Sequence, residues 1–266
     1  MYEAAVSGEG QPASQGSLRE LIDSGRPTIG GWCAIPSAFS AEILACAGFD
    51  WICIDTQHGL IGYQEMTAML QALDVRGVPS FVRAQWNEPS AIMKALDAGA
   101  QGVIVPMVNS AEEAVAATRA SRYPPLGFRS WGPVRASLGD TTFEPATANR
   151  RLVCIVMVET PEAVEAVDEI LAVPGVDGIL IGPYDLSLST NLTVETPGEK
   201  PKDVEQIKRV LEACDRAGVP AGITCAAPDD VRRRRAQGFR LLQLGSDLGL
   251  LSQAATEIVR DAREGS

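Results

Sequence analysis

The sequence predicts a single (β/α)8 barrel, an α/β fold. Eight short apolar runs alternate with eight segments of helical pattern along most of the chain. Continuous apolar runs are typical of parallel strands covered on both faces, and regular strand–helix alternation closes such a sheet into a barrel. A length of 266 residues with 45% hydrophobic content suits one domain of this kind. A doubly wound open sheet is the alternative, but no G-x-G-x-x-G motif follows the first strand.

The first four strand–helix units are expected between residues 28 and 121. The strands are predicted at residues 28–34, 49–55, 79–83 and 101–106, because each is a short run dominated by apolar residues. The helices are predicted at residues 37–47, 63–75, 89–98 and 111–121. Ala-Gly pairs at 47–48 and 98–99 indicate helix ends, since glycine tolerates a left-handed backbone.

The last four units are expected between residues 152 and 262. The strands are predicted at residues 152–158, 177–182, 219–224 and 239–245, again from apolar runs. The helices are predicted at residues 161–172, 204–217, 229–237 and 247–262. The sequences Thr-Pro-Glu at 160–162 and Pro-Asp-Asp at 228–230 are helix-start signals, and Ala-Gly at 217–218 is an end signal.

Three segments fall outside this alternation. Residues 1–16 are rich in Gly, Ser and Gln and have little to bury, so we predict a disordered tail that leaves residues 17–266 as the barrel domain. Residues 123–150 and 186–202 are long and rich in turn-forming residues. Loops of this length in a compact domain are usually functional, and we expect both to leave the catalytic face as site walls or subunit contacts.

Two acidic residues follow predicted strands of the second half. Glu159 comes directly after the strand at 152–158, and Asp185 follows the strand at 177–182. Active sites of barrel enzymes are built at the C-terminal ends of the strands, so the two carboxylates should share one site. Oxygen ligands of this type hold Mg²⁺-like ions. The sequence therefore predicts a divalent metal site, although each carboxylate alone is equally consistent with capping the next helix.

Two more polar residues lie at the ends of other predicted strands. His58 is the chain's one histidine and lies three residues after Asp55, whose carboxylate is expected to hold the imidazole in one tautomer. Arg83 ends the third strand. Its guanidinium needs an anion, either within the chain (Asp55 or Asp97) or on a substrate carboxylate. The pattern predicts a base and an anion clamp beside the metal.

Two further residues at the rim are candidates for ligand contact. Trp32 ends the first strand region, and packing is the alternative role for it. Ser246 follows the last strand, and capping of the final helix is its alternative role. The positions of the lysines argue against one mechanism, because none of the four lysines follows a predicted strand. A Schiff-base mechanism would need a lysine in the barrel, so carbonyl activation is expected from a metal acting as a Lewis acid.

The composition excludes several other classes of function. The formal net charge of −11 and the absence of a basic stripe argue against a nucleic-acid partner. No apolar stretch approaches the roughly 18 residues of a membrane span. The six cysteines form no C-x-x-C motif, and without a signal peptide they indicate reduced thiols in the cytoplasm.

Five stretches together resemble the metal-dependent class II pyruvate aldolases, a family that includes 4-hydroxy-2-oxoheptanedioate and 2-dehydro-3-deoxyglucarate aldolases. They are SAEILACAGFDWICIDTQHG, FVRAQWNEPSAIMKALDAGAQGVIVPMV, RYPPLGFRSWG, VMVETPEAV and VDGILIGPYDLS. The resemblance spans about residues 28–262. It implies a (β/α)8 barrel that reversibly cleaves a 4-hydroxy-2-oxo acid into pyruvate, or hydroxypyruvate, and an aldehyde.

The resemblance also implies roles for individual residues. Glu159 and Asp185 would hold Mg²⁺ or Mn²⁺, with Co²⁺ or Zn²⁺ as alternatives. His58, supported by Asp55, would be the acid–base centre, and Arg83 would contact the pyruvyl oxygens. Further substrate contacts are expected from a set at the strand ends, namely Trp32, Gly182, Pro183, Tyr184 and Ser246. Asp97 would reach the site of a neighbouring subunit in a homotrimer or hexamer, in which the last helix is exchanged between subunits.

The chain departs from this family at three positions near the expected site. Gln57 stands where relatives often have Glu, Met157 where others have Gln, and Tyr184 where some have Ala. These changes leave the identity of the aldehyde and of the 2-oxo acid open. A decarboxylase of oxaloacetate-type acids and a non-catalytic barrel that binds 2-oxo acids or sugar acids remain alternative functions.

Overall fold

The computed structural model describes residues 16–195 and 197–264, and its strands form the predicted closed parallel barrel in the order β1 to β8. The strands are Thr28–Cys33, Trp51–Asp55, Ser80–Arg83, Gly102–Val105, Val153–Val158, Gly178–Ile181, Ala221–Cys225 and Leu241–Ser246. Each prediction lies within two residues of the observed ends. Apart from Gly16, the predicted tail lies outside the described residues.

Twelve helices are present in the described part of the chain. In order, α1 to α12 are Leu18–Asp23, Ala38–Ala45, Tyr63–Arg76, Pro89–Asp97, Ala111–Ser121, Pro145–Arg151, Pro161–Glu165, Val167–Leu171, Pro183–Asn191, Pro201–Ala217, Pro228–Gln237 and Asp247–Glu264. The helix predicted at 161–172 is divided into α7 and α8 at Ala166, whose backbone is not helical. Helices α1, α6 and α9 were not predicted.

The buried residues form two layers. One lies between the strands and the surrounding helices, with Ile52, Val82 and Val156 facing outward. The other fills the barrel interior, where Trp51 and Phe81 pack edge to face at 5.4 Å. Helix α1 closes the N-terminal end of the barrel, because Leu18 is fully buried in the interior layer.

The position predicted for the segment at 123–150 is wrong. It follows α5 and leads into β5, so it lies at the N-terminal end of the barrel and not on the catalytic face. Arg129 and Arg135 of this segment bind Asp97 and Asp74 at the C-terminal ends of α4 and α3. The second segment does leave the catalytic face, and its first part forms α9.

Helix α12 packs differently from the other helices. After Asp247, all its residues through Glu264 are solvent-exposed, although the helix carries Leu248, Leu251 and Ile258. Its few contacts are with β1, β8 and α2, close to its start. A long helix with exposed leucine and isoleucine side chains needs another apolar surface.

Candidate active site

A cavity of about 410 Å³ opens at the C-terminal end of the barrel. Most of the residues predicted to form a site line it, namely Trp32, His58, Arg83, Glu159, Gly182, Tyr184, Asp185 and Ser246. They come from six strands, so the closed barrel brings together residues that are up to 214 positions apart in the sequence. A site at this end agrees with the general position of barrel active sites.

Glu159 is held in a fixed position in the wall of the cavity. The residue is 2% exposed, and its Oε1 accepts a hydrogen bond of 2.7 Å from the backbone N–H of Met107. Met107 has a φ of 53°, a left-handed conformation that is uncommon for residues other than glycine and often found at functional sites. The loop after β4 thus accepts a strained backbone that directs an N–H at this carboxylate.

Gly182 provides space for the other oxygen of Glu159. A Cβ placed at Gly182 would clash with Oε2 of Glu159 and lie 3.3 Å from Cε of Met157. The glycine is therefore required by close approach, because its φ of −96° is open to any residue. Burial raises the pKa of Glu159 to about 7; the charge of Asp185 acts in the same direction, while the Met107 bond and Arg83 oppose it.

Arg83 is clamped by Asp55 and Trp32. Its Nε donates to Oδ1 of Asp55 at 2.9 Å and its Nη2 donates to Oδ2 at 2.6 Å, while the guanidinium lies 5.0 Å from the Trp32 ring centre. Burial would lower the pKa of Arg83, but the Asp55 pair raises it above its usual value. Burial would likewise raise the pKa of Asp55, and the bonds from Arg83 and Trp32 lower it. Both groups therefore stay charged.

The predicted support of the His58 imidazole by Asp55 is wrong. Asp55 accepts from the backbone N–H groups of Gln57 and His58 at 3.0 and 3.2 Å, and from Nε1 of Trp32 at 3.1 Å. Together with the two Arg83 bonds, these contacts use both carboxylate oxygens. Asp55 therefore shapes the turn that carries His58 to the mouth of the cavity, and the His58 residue itself is exposed.

Three other predicted site residues, Ser246, Pro183 and Asp97, make contacts that differ from those of a simple cavity wall. Ser246 lines the cavity, and its Oγ also accepts from the N–H of Gly249, so it caps α12 as its alternative role required. Pro183 is buried at the first position of α9 and does not line the cavity. Asp97 lies outside the cavity and binds Nη2 of Arg129 at 2.7 Å. Any contact of Asp97 with a site would require a second copy of the chain.

Several cavity residues were not predicted. They are Thr224, Cys225, Ala226, Gln243, Gly245 and Gly249, whereas Met157, which was expected near the site, does line the cavity. Gln243 had a signal in the sequence, since it is an amide within the otherwise apolar run LLQLG. Cys225 is an inert member of the wall, because burial raises the pKa of its thiol to about 12 and a thiol in this state is a poor nucleophile.

The carboxylates fit a hard divalent cation. Among the described residues, no group of three or more His, Cys, Asp or Glu side chains could serve as a complete metal cage. Mg²⁺-like ions instead use one or two carboxylates and keep positions for water and substrate oxygens. Glu159, which has a cavity-side oxygen beside Gly182, and Asp185, at the start of α9, provide such a pair.

The chain is similar to known proteins over almost its whole length. Residues 28–254 match the family model described as HpcH/HpaI aldolase/citrate lyase. The chain is 41% identical to a hydroxypyruvate/pyruvate aldolase of Rhizorhabdus wittichii, over 92% of the chain and 98% of that protein. It is 36% identical to a 4-hydroxy-2-oxo-heptane-1,7-dioate aldolase of Shigella sonnei, over 91% and 92% of the two chains.

A solved structure shows the same architecture. A HpcH/HpaI aldolase/citrate lyase family protein from Burkholderia cenocepacia superposes with a TM-score of 0.85 at 34% identity, covering 92% of this chain and 98% of that one. The resemblance found in the sequence motifs is thereby confirmed. The chain belongs to the HpcH/HpaI aldolase/citrate lyase family.

Proposed function

We propose that this protein is a class II aldolase, a carbon–carbon lyase that reversibly cleaves a 4-hydroxy-2-oxo acid into pyruvate or hydroxypyruvate and an aldehyde. The observation that carries the proposal is the pairing of a buried Glu159 with Asp185 in the cavity that also contains Arg83. Relatives named for these two 2-oxo acids and for a 4-hydroxy-2-oxo acid support the choice of substrate class.

Glu159 and Asp185 would hold the divalent ion, Mg²⁺ or Mn²⁺, with Co²⁺ or Zn²⁺ as alternatives. When bound, such an ion supplies Lewis-acid polarisation of the 2-oxo group. The described lysines offer no other means of activating a carbonyl in the cavity, since none lines it. The two carboxylates have the chemistry for this ligand role, and the cavity beside them has room for a small 2-oxo acid.

Arg83 would stabilise the negative charge that develops on the 2-oxo oxygen when the C3–C4 bond breaks. Its Nε and Nη2 are used by Asp55, and within the described chain Nη1 has no hydrogen-bond acceptor, so it is free to donate to substrate. The bidentate pair and the Trp32 ring fix the guanidinium before substrate arrives. A donor positioned in advance lowers the barrier because it needs no reorganisation during the reaction.

His58 would move the proton at the C4 hydroxyl. It lies at the mouth of the same cavity, whose opposite wall includes Tyr184. An exposed imidazole can exchange its proton with solvent between turnovers, which suits a general base in cleavage and a general acid in addition. His58 lies at the mouth of the cavity, above Arg83. The group that transfers the proton is therefore separate from the group, Arg83, that stabilises the developing charge.

We also propose that the chain acts as a homo-oligomer, either a trimer or a hexamer, with α12 packed on a neighbouring copy. The exposed apolar side chains of α12 support this arrangement. None of the helices described here has the length and apolar character to cross a bilayer. The six cysteines are unpaired, which fits the reducing cytoplasm that we propose as the location.

Exchange of the C3 protons of pyruvate in D₂O tests the proposed function. With Mg²⁺ or Mn²⁺ we expect exchange and, after addition of an aldehyde, a 4-hydroxy-2-oxo acid. Exchange that requires neither ion nor Arg83 would contradict the proposal, as would binding of pyruvate without any exchange. The Arg83→Ala variant should lose at least ~10²-fold in rate, the typical loss for one charge-stabilising donor.

A further inference from the structure

The floor of the cavity contains one amide among apolar side chains. Strand pairings shift the register by eight residues over one circuit of the barrel, the shear typical of this fold. Interior side chains therefore form layers of four from alternate strands. One layer consists of Trp32, Arg83, Met157 and Thr224. The layer directly below it consists of Cys53, Ile104, Leu180 and Gln243.

Gln243 is held in one orientation. Its residue is 6% exposed, and Nε2 donates to the backbone oxygen of Gly245 at 2.8 Å. A β-bulge lies here, where β8 has an extra residue against β1 between Gly30 and Trp32, and Gly245 adopts a φ of 67°. Bulges near active sites often redirect a side chain. Because the partner is a carbonyl, which only accepts, the amide nitrogen must face Gly245.

With the amide nitrogen bound to Gly245, the amide oxygen Oε1 of Gln243 accepts no hydrogen bond from the described chain, while Gln243 lines the cavity. The amide oxygen is not one of the fully buried unpartnered atoms, so it is accessible from the cavity to a ligand that brings a donor. The neighbours in its own layer, Cys53, Ile104 and Leu180, are apolar, so Gln243 carries the amide acceptor of this layer.

We propose that Gln243 is a specificity-determining residue that accepts a hydrogen bond from the C3 hydroxyl of hydroxypyruvate. The inference rests on the proposed function. Hydroxypyruvate differs from pyruvate only by this hydroxyl, which is a small donor of the kind Oε1 requires. Gln243 lies one layer below Arg83, on the side of the site where the 2-oxo acid is bound. The aldehyde enters above, past His58 and Tyr184 at the mouth.

The test compares three 2-oxo acids with the metal-loaded enzyme. Pyruvate, hydroxypyruvate and 2-oxobutyrate share the 2-oxo carboxylate. They differ at C3, where 2-oxobutyrate carries a methyl group in place of the hydroxyl of hydroxypyruvate. In Gln243→Met we expect kcat/KM for hydroxypyruvate to fall about 10- to 100-fold and that for pyruvate to change less than about 3-fold, as for loss of one hydrogen bond to a substrate hydroxyl. Gln71→Met, on the exposed face of α3, is the matched control and should change neither value.

The outcomes separate the two proposals. If kcat/KM for pyruvate and for hydroxypyruvate fall equally, or if neither changes, the ratio of the two values is unchanged. Either result would overturn the inference, and equal losses would give Gln243 a structural role. A loss that follows a hydroxyl on the aldehyde, measured with propanal against glycolaldehyde, would overturn it too. If Gln243→Met and Gln243→Ala do not fold, wild type must bind hydroxypyruvate at least ~10-fold more tightly than 2-oxobutyrate. Inactivity of wild type with all three acids would instead refute the proposed function.

Discussion

Replacement of Glu159 by Gln should make the metal-free protein more stable at alkaline pH. The Glu159 residue is 2% exposed, and burial raises the pKa of its carboxyl from 4.5 to about 7. The folded protein therefore binds more protons than the unfolded chain between these two values. Its free energy of unfolding falls as pH rises through this window, and the full loss is present above pH 7. The amide in Glu159→Gln would keep the bond from Met107 without any charge.

The expected size of the effect follows from the width of this window. Each unit of pKa difference corresponds to about 1.36 kcal/mol, so a window of about 2.5 units sets an upper limit of about 3 kcal/mol at pH 8. For a chain of this length, 1 kcal/mol moves Tm by roughly 2–4 °C. Relative to wild type, Glu159→Gln should thus gain up to roughly 6–12 °C between pH 4.5 and pH 8.

Thermal unfolding in the presence of chelator, at several pH values, measures this difference. Addition of Mg²⁺ at pH 8 should raise Tm of wild type, because the ion balances the negative charge of the buried Glu159 carboxylate. It should leave Tm of Glu159→Gln unchanged. Glu162→Gln, on the solvent side of α7, is the control for a neighbouring carboxylate. A Tm difference between Glu159→Gln and wild type that is the same at both pH values would refute the argument, as would equal stabilisation of both by Mg²⁺.

Three further changes test other parts of the site and the assembly. Gly182→Ala should leave the fold intact but weaken divalent-metal binding at least ~10-fold by calorimetry, because the added Cβ displaces Oε2 of Glu159; unchanged affinity would contradict this role. Asp55→Asn should lower the free energy of unfolding in urea by about 3 kcal/mol, since it leaves the Arg83 charge buried without its partner, and a loss below about 1 kcal/mol would be inconsistent with the pair. Leu251→Asp on α12 should reduce the mass of the oligomer measured by light scattering, whereas Val75→Asp on the exposed side of α3 should not. An unchanged mass for Leu251→Asp would contradict the proposed packing of α12 on a neighbouring copy.

The barrel could be predicted because its strands are buried on both faces. Each strand is a continuous apolar run, and the alternation with helices repeats eight times, so the pattern is unambiguous. The missed helices are short or lie in turn-rich segments. Helix α6 has seven residues and buries only Asn149, and α1 buries little besides Leu18 and Leu21, so neither has a strong periodic signal.

From local pattern alone, the site could be predicted only where a polar residue lies at the end of a strand or within three residues after it. Glu159, Arg83 and His58 have this signature, and the barrel topology brings them to one cavity. The bond from the Met107 N–H to Glu159 could not be predicted, because any residue carries a backbone N–H and the φ of 53° depends on tertiary packing. The segment at 123–150 was misplaced because its length and its Gly and Pro content do not indicate an end of the barrel, whereas its place between a helix and the next strand does.

Binding of Mn²⁺ by the chelator-treated protein, followed by calorimetry together with aldol activity, tests the central claim most directly. We expect one ion per chain for wild type, at least ~10²-fold weaker binding for Asp185→Asn, and an aldol rate that rises with the fraction of chains carrying the ion. Wild-type affinity in Asp185→Asn would contradict the account. So would full aldol activity in protein from which every divalent ion has been removed.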